Sequence, residues 1–137
     1  MSTLKVNTVS HSTSGFSNVV QFTDGAGTQN ASLCRGWVRF NGEGTQTISG
    51  SFNVGTIDDG GTGYFRINWD TAFPNANYCT VVCGTGAQTS NGYVQHDSQD
   101  FGGEGTNAPL AGSITIRCVN GSGNRDDHPW ITAAAFN

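Results

Sequence analysis

Leucine is nearly missing: Leu4, Leu33 and Leu110 are the only three in 137 residues, beside one methionine and one lysine, Lys5. Helices draw on Leu, Met, Lys, Glu and Ala, so this scarcity argues against a helical protein. Charged residues are 12% of the chain, about half the usual share of a soluble domain. Five arginines and one lysine against ten carboxylates leave a net charge of −4, which supplies no basic patch for a phosphate backbone and argues against nucleic-acid binding. No apolar run approaches the roughly 18 residues of a membrane span, so no membrane insertion is expected. The opening residues 1–5 lack the apolar stretch of a secretory signal. Synthesis in a cytosol without export by signal or anchor is therefore expected. What is abundant is Gly (20), Thr (16), Asn (13) and Ser (12). That mixture favours short strands joined by Gly, Asn and Asp turns, and the length fits one domain.

Four cysteines, Cys34, Cys79, Cys83 and Cys118, raise the question of disulfides or metal. Cys79 and Cys83 are four residues apart in a β-rich run, about 13 Å along a strand and too far to bridge each other. No CxxC occurs, and no histidine neighbours a cysteine in sequence. Each cysteine shares the more apolar side of its run, with Val38 and Phe40, with Val81, or with Ile114 and Ile116. Buried reduced thiols are the expectation. A Cys34–Cys118 disulfide and a metal site are the weaker alternatives, and no cofactor is expected.

Along the chain, alternation marks short strands at 3–9 and 17–23, separated and followed by polar breaks at 10–15 and 28–32. Two strands alone cannot bury an apolar face, so 1–32 reads as an N-terminal β arm for attachment or subunit knitting. Val19, Val20 and Phe22 lack an obvious partner within it and are candidate subunit contacts. The body, 33–137, reads as strands at 34–40, 45–49, 51–57, 64–69, 78–83, 113–119 and 130–136. A weak strand at 92–96 sits in an otherwise patternless stretch, 84–112. Evenly spaced short strands predict an all-β protein, an antiparallel β-sandwich or jelly-roll-like domain.

Several runs together resemble a known β-domain. They are Gly36-Trp37-Val38-Arg39-Phe40-Asn41-Gly42-Glu43-Gly44-Thr45, then Ser51-Phe52-Asn53-Val54, then Ile57-Asp58-Asp59-Gly60-Gly61-Thr62-Gly63-Tyr64-Phe65-Arg66-Ile67-Asn68-Trp69, then Ala72-Phe73-Pro74-Asn75-Ala76-Asn77-Tyr78. In this order they are similar to a domain common in fibre and virion structural proteins of tailed bacteriophages. The opening 2–9 and the closing Ile131-Thr132-Ala133-Ala134-Ala135-Phe136 resemble it more loosely. Phe73 stands where that pattern usually has Met. Cys79, Cys83 and 84–112 lie outside it. The resemblance implies a virion surface component assembled in a host cytoplasm, usually homotrimeric, contacting other virion proteins. It leaves tail and head positions open. A small tail-fibre-like protein engaging a host surface glycan or protein is the first expectation. A head decoration or cement protein is the second, and a carbohydrate-binding sandwich module the third.

Chemistry for catalysis is sparse. Asp58-Asp59 precedes Gly60-Gly61, which is ordinary turn composition. Asp126-Asp127-His128-Pro129 reads as a solvated loop, with a Ca²⁺ site as the alternative. Gly102-Gly103-Glu104-Gly105 has no following lysine and no helix, so it is not a phosphate loop. The sequons at Asn30 and Asn120 lack a secretory context. No enzyme is expected. Binding chemistry is better represented. Arg35, Trp37 and Arg39 share one strand side, and two arginines flanking a tryptophan at i±2 can stack on its indole. They are candidates for a subunit interface. Tyr93, His96, Asp97 and Phe101 lie among Ser, Gly and Asn, the composition of recognition loops. They are candidates for receptor or partner binding.

Overall fold

The computed structural model describes residues 20–24, 27–31, 33–86, 92–97 and 109–137. The expectations for 3–9, for Val19 and for Phe101 lie outside these residues. The chain divides into two compact units, Met1–Ser32 and Leu33–Asn137. In the first, β1 (Val20–Asp24) and β2 (Gly27–Ala31) pair antiparallel, from Val20↔Ala31 to Asp24↔Gly27. The stretch expected as a polar break at 28–32 is thus mostly strand. Thr28, Gln29, Asn30 and Ala31 carry no apolar alternation, and their strand is set by the backbone ladder to β1. Val20 and Phe22 belong to β1.

The second unit is an antiparallel β-sandwich. One sheet has the order β4-β3-β10-β7, from β3 (Cys34–Asn41), β4 (Thr47–Phe52), β7 (Cys79–Thr85) and β10 (Trp130–Phe136). The other has the order β5-β6-β9-β8, from β5 (Val54–Asp59), β6 (Tyr64–Trp69), β8 (Tyr93–His96) and β9 (Ser113–Val119). Side chains alternate across a strand, and the inward sets meet between the sheets. Val38 and Phe40 of β3, Phe65, Ile67 and Trp69 of β6, Ile114, Ile116 and Cys118 of β9, and Ile131, Ala133 and Ala135 of β10 form the core. Phe40 and Phe65 meet edge to face at 5.4 Å across it.

Both ends of the sandwich are closed by aromatic and polar contacts. At one end Phe73 stacks on Tyr78 at 4.3 Å, and both meet Trp69 edge-on. The Tyr78 hydroxyl accepts from Trp69 Nε1 at 3.2 Å and lies 2.8 Å from the Leu110 carbonyl and 3.0 Å from that of Ser113, to which it can donate. At the other end the stretch expected as a solvated loop is pinned down. Asp127 accepts from the Gly63 amide at 2.6 Å, and the Asp126 amide donates to the Cys118 carbonyl. The His128 carbonyl accepts from the Gly42 amide, and the His128 ring is fully buried. Gly92 allows this: a Cβ there would stand 2.6 Å from His128 Nε2. Among the described residues neither ring nitrogen of His128 has a hydrogen-bond partner.

The break expected at Gly50 falls instead at Asn53. β4 runs through Gly50, and Asn53 adopts φ 56° to carry the chain from one sheet to the other. Asparagine tolerates that left-handed conformation. Its side chain also donates to the Arg35 and Thr71 carbonyls and accepts from the Thr71 amide at 2.7 Å. The cysteine expectation holds for one residue only. Cys118 is buried, whereas Cys34, Cys79 and Cys83 are exposed free thiols. On β7 the inward side is Thr80, Val82 and Gly84, so the more apolar side, Cys79, Val81 and Cys83, faces outward.

Candidate functional site

The outward side of the β4-β3-β10-β7 sheet gathers the candidate residues Arg35, Trp37 and Arg39 with others that alternation alone did not single out. Register places Phe52, Trp37, Ala134 and Val81 in one row across the four strands. The next row is Gly50, Arg39, Thr132 and Cys83. Trp130 begins β10 beyond them. Trp37, Phe52, Val81 and Trp130 are between 42% and 58% exposed, far more than large apolar side chains at a core show. Gly50 leaves room for the indole of Trp37, whose Cη2 passes 3.3 Å from where a Cβ would stand. The small side chains of β10, Thr132 and Ala134, lie between bulkier neighbours. They floor a shallow depression of about 310 Å³ walled by Trp37, Arg39, Val81 and Cys83.

The arginines do not sandwich Trp37 as the i±2 spacing suggests. Arg39 lies over Trp130 at 4.2 Å, and Arg35 lies over Phe73 at 5.6 Å. Each guanidinium therefore serves a different ring, because Trp130 starts the neighbouring strand and Phe73 closes the sandwich end. Among the described residues Arg39 carries the one positive charge bordering the depression. Its partner is an aromatic face, a contact that tolerates burial against a second surface.

The other sheet presents an outward side of different chemistry. Asp58, Arg66 and Thr115 share one row, and Gln95, Arg117 and Tyr64 another. Asn68 donates to Asp58 and to Thr56, each at 2.9 Å. Arg125 covers Tyr64 at 4.6 Å.

The recognition candidates are dispersed. Tyr93 is exposed, pairing with Val119 on the outward side of β8. His96 pairs with Ile116, turns toward the other sheet and makes a hydrogen-bond contact with Thr80 of β7. Packing there disfavours the imidazolium and lowers the His96 pKa below its usual value. Asp97 is buried, 3.8 Å from Arg117 Nε, and its amide donates to the Thr115 carbonyl. Tyr93 and His96 thus face opposite ways, and Asp97 holds the sheet edge.

Among the described residues no group of three or more His, Cys, Asp or Glu is placed to hold a metal. No helix among them is long and apolar enough to cross a membrane. Cys118 has its thiol pushed up to about 12 by burial, and then by Asp127 and Asp126 nearby. Phe52, Val81, Cys83 and Trp130 are the members of the apolar face that sequence reasoning missed. A signal existed for Trp130, since Ile131, Ala133 and Ala135 form an inward set that leaves Trp130 with Thr132 outside. No family model, curated protein or solved structure matches this chain.

Proposed function

We propose that this chain is a structural protein of a bacteriophage particle: a small tail-fibre-like component, exposed on the virion, that engages the host surface. It works by surface association rather than catalysis. The observation that supports this reading is the difference between the two outward sheet sides. One is polar and laced with its own hydrogen bonds. The other offers Trp37, Phe52, Val81 and Trp130 to solvent with Arg39 among them. Trp and Arg are enriched at protein interfaces, and contiguous exposed apolar surface marks association sites. The virion setting comes from the sequence resemblance carried by 36–45 and 51–78. That resemblance also carries the proposal of a homotrimer, knit or attached to neighbouring virion proteins through the arm of 1–32 and assembled in the host cytoplasm.

The test is localisation joined to competition. Antibody-gold labelling of purified particles should place the protein at the tail, and an excess of purified protein should slow adsorption of particles to the host. Labelling on the head with adsorption unaltered would replace the tail reading by head decoration. Absence from purified particles would remove the virion reading altogether.

A further inference from the structure

Among the described residues of the body, four strands form the sheet edges, and they are not defended alike. Natural edges are blunted by charge, proline, bulges or brevity, because an open edge templates another strand. β5 ends in Asp58 and Asp59 and shifts register between Val54 and Thr56. β4 lies across a register shift at Arg39 and Phe40. β8 has four residues. β7 has none of these devices. It runs seven residues, Cys-Thr-Val-Val-Cys-Gly-Thr, without charge or proline. Its register on β10 is unbroken from Trp130↔Thr85 to Phe136↔Cys79. Among the described residues β10 is its sole strand partner.

We propose that β7 pairs edge to edge with β7 of a second copy of this chain, antiparallel and centred on Val81. In a two-fold antiparallel pair, residues equally distant from the centre meet. Val81 then sits beside its own counterpart, and Cys79 sits beside the partner's Cys83. The outward series Cys79, Val81, Cys83 is thus self-complementary. The chain carries a net charge of −4, yet this strand opposes no like charges. The joined sheet has eight strands, and its apolar side continues the row of Phe52, Trp37, Ala134 and Val81 into the second copy. A seven-residue edge buries less than the roughly 800 Å² per partner of a stable interface. The contact is therefore weak in dilute solution and strengthens where copies are held close together. It uses the body alone and stands whether or not the arm knits three copies.

Opposed residues of an antiparallel pair have Cα atoms about 4.5–5.5 Å apart, within the range a disulfide spans. Within one copy, Cys34 and Cys79 flank Phe136 on separate strands, roughly 9–10 Å apart at strand spacing, beyond that reach. The experiment uses Cys34→Ser protein at high micromolar concentration with diamide, which removes the two thiol hydrogens of a close pair and leaves the disulfide. The parent should give a reducible dimer on a denaturing gel. Adding Cys79→Ser or Cys83→Ser alone should lower its rate at least tenfold, because either change removes both thiol pairs. Mixing the two variants should restore roughly a quarter of the parent rate, since half the encounters are mixed and each holds one pair instead of two. Val81→Lys, with the cysteines intact, should also lower the rate about tenfold by opposing two charges at the centre. No dimer from the parent would overturn the pairing. So would a single variant that cross-links as fast as the parent, or a mixture that fails.

Discussion

Tyr78 carries more of the body's order than its single hydroxyl suggests. It receives the Trp69 indole and reaches two carbonyls of the 110–113 turn. Tyr78→Phe keeps the ring stack on Phe73 but leaves buried polar groups without their partner. The expected cost is about 1–3 kcal/mol, read by urea unfolding. No loss would mean that these groups find other partners. The cysteines divide by environment in the same way. At pH 8 a thiol with a pKa of about 12 is thiolate in roughly one molecule in ten thousand. Native protein should therefore react at Cys34, Cys79 and Cys83 within minutes, and at Cys118 only after unfolding. Four rapidly reacting thiols would contradict the burial of Cys118. His96 sets a pH dependence. Its folded pKa lies below the unfolded value near 6.5, so the folded state binds fewer protons. Stability from this group is complete above about pH 6.5 and is lost as pH falls through the unfolded value toward the folded one. His96→Gln should flatten that part of the curve relative to the parent. Parallel curves would show that His96 does not contribute.

Strand and turn composition made most elements legible. Tyr64–Trp69, Ser113–Val119 and Trp130–Phe136 occupy the positions that alternation assigns, because each sets an unbroken apolar series, such as Ile114, Ile116 and Cys118, into the core. The boundary between β4 and β5 was not legible at Gly50. A glycine suggests a break, whereas the chain turns at Asn53, whose side chain ties together residues 35 and 71. Such long-range partners leave no local signature. Asn53→Ala should cost about 1–3 kcal/mol, from the left-handed backbone and the lost hydrogen bonds. Asn53→Gly should cost less by relieving the backbone part alone. Equal costs would place the whole effect in the side chain. β7 misled for a different reason. Both of its sides are apolar enough for a core, and Cys79, Val81 and Cys83 are the better hydrophobes. Gly84, which only a close approach to the β8 side explains, was the better indicator of the inward side. An apolar outward side on an otherwise alternating strand is what a strand looks like when it meets a second molecule, and one sequence does not separate that case from a core strand.

At the scale of the molecule, the two sheets share a core and differ in what they show the outside. The side with Asp58, Arg66, Asn68 and Arg117 is suited to water. The side with Trp37, Phe52, Val81 and Trp130 keeps apolar area in water, a cost of roughly 25 cal/mol per Å² that covering would recover. The arm of 1–32, the aromatic face and the resemblance to virion β-domains bear on one account, in which the body is held on a particle and its β4-β3-β10-β7 sheet is covered. A cryo-electron microscopy reconstruction of the particle that resolves this subunit tests it most directly. The account predicts neighbouring protein density against Trp37, Val81 and Trp130, with the β5-β6-β9-β8 side toward solvent. Density against the polar side, with the aromatic face open to water, would contradict it.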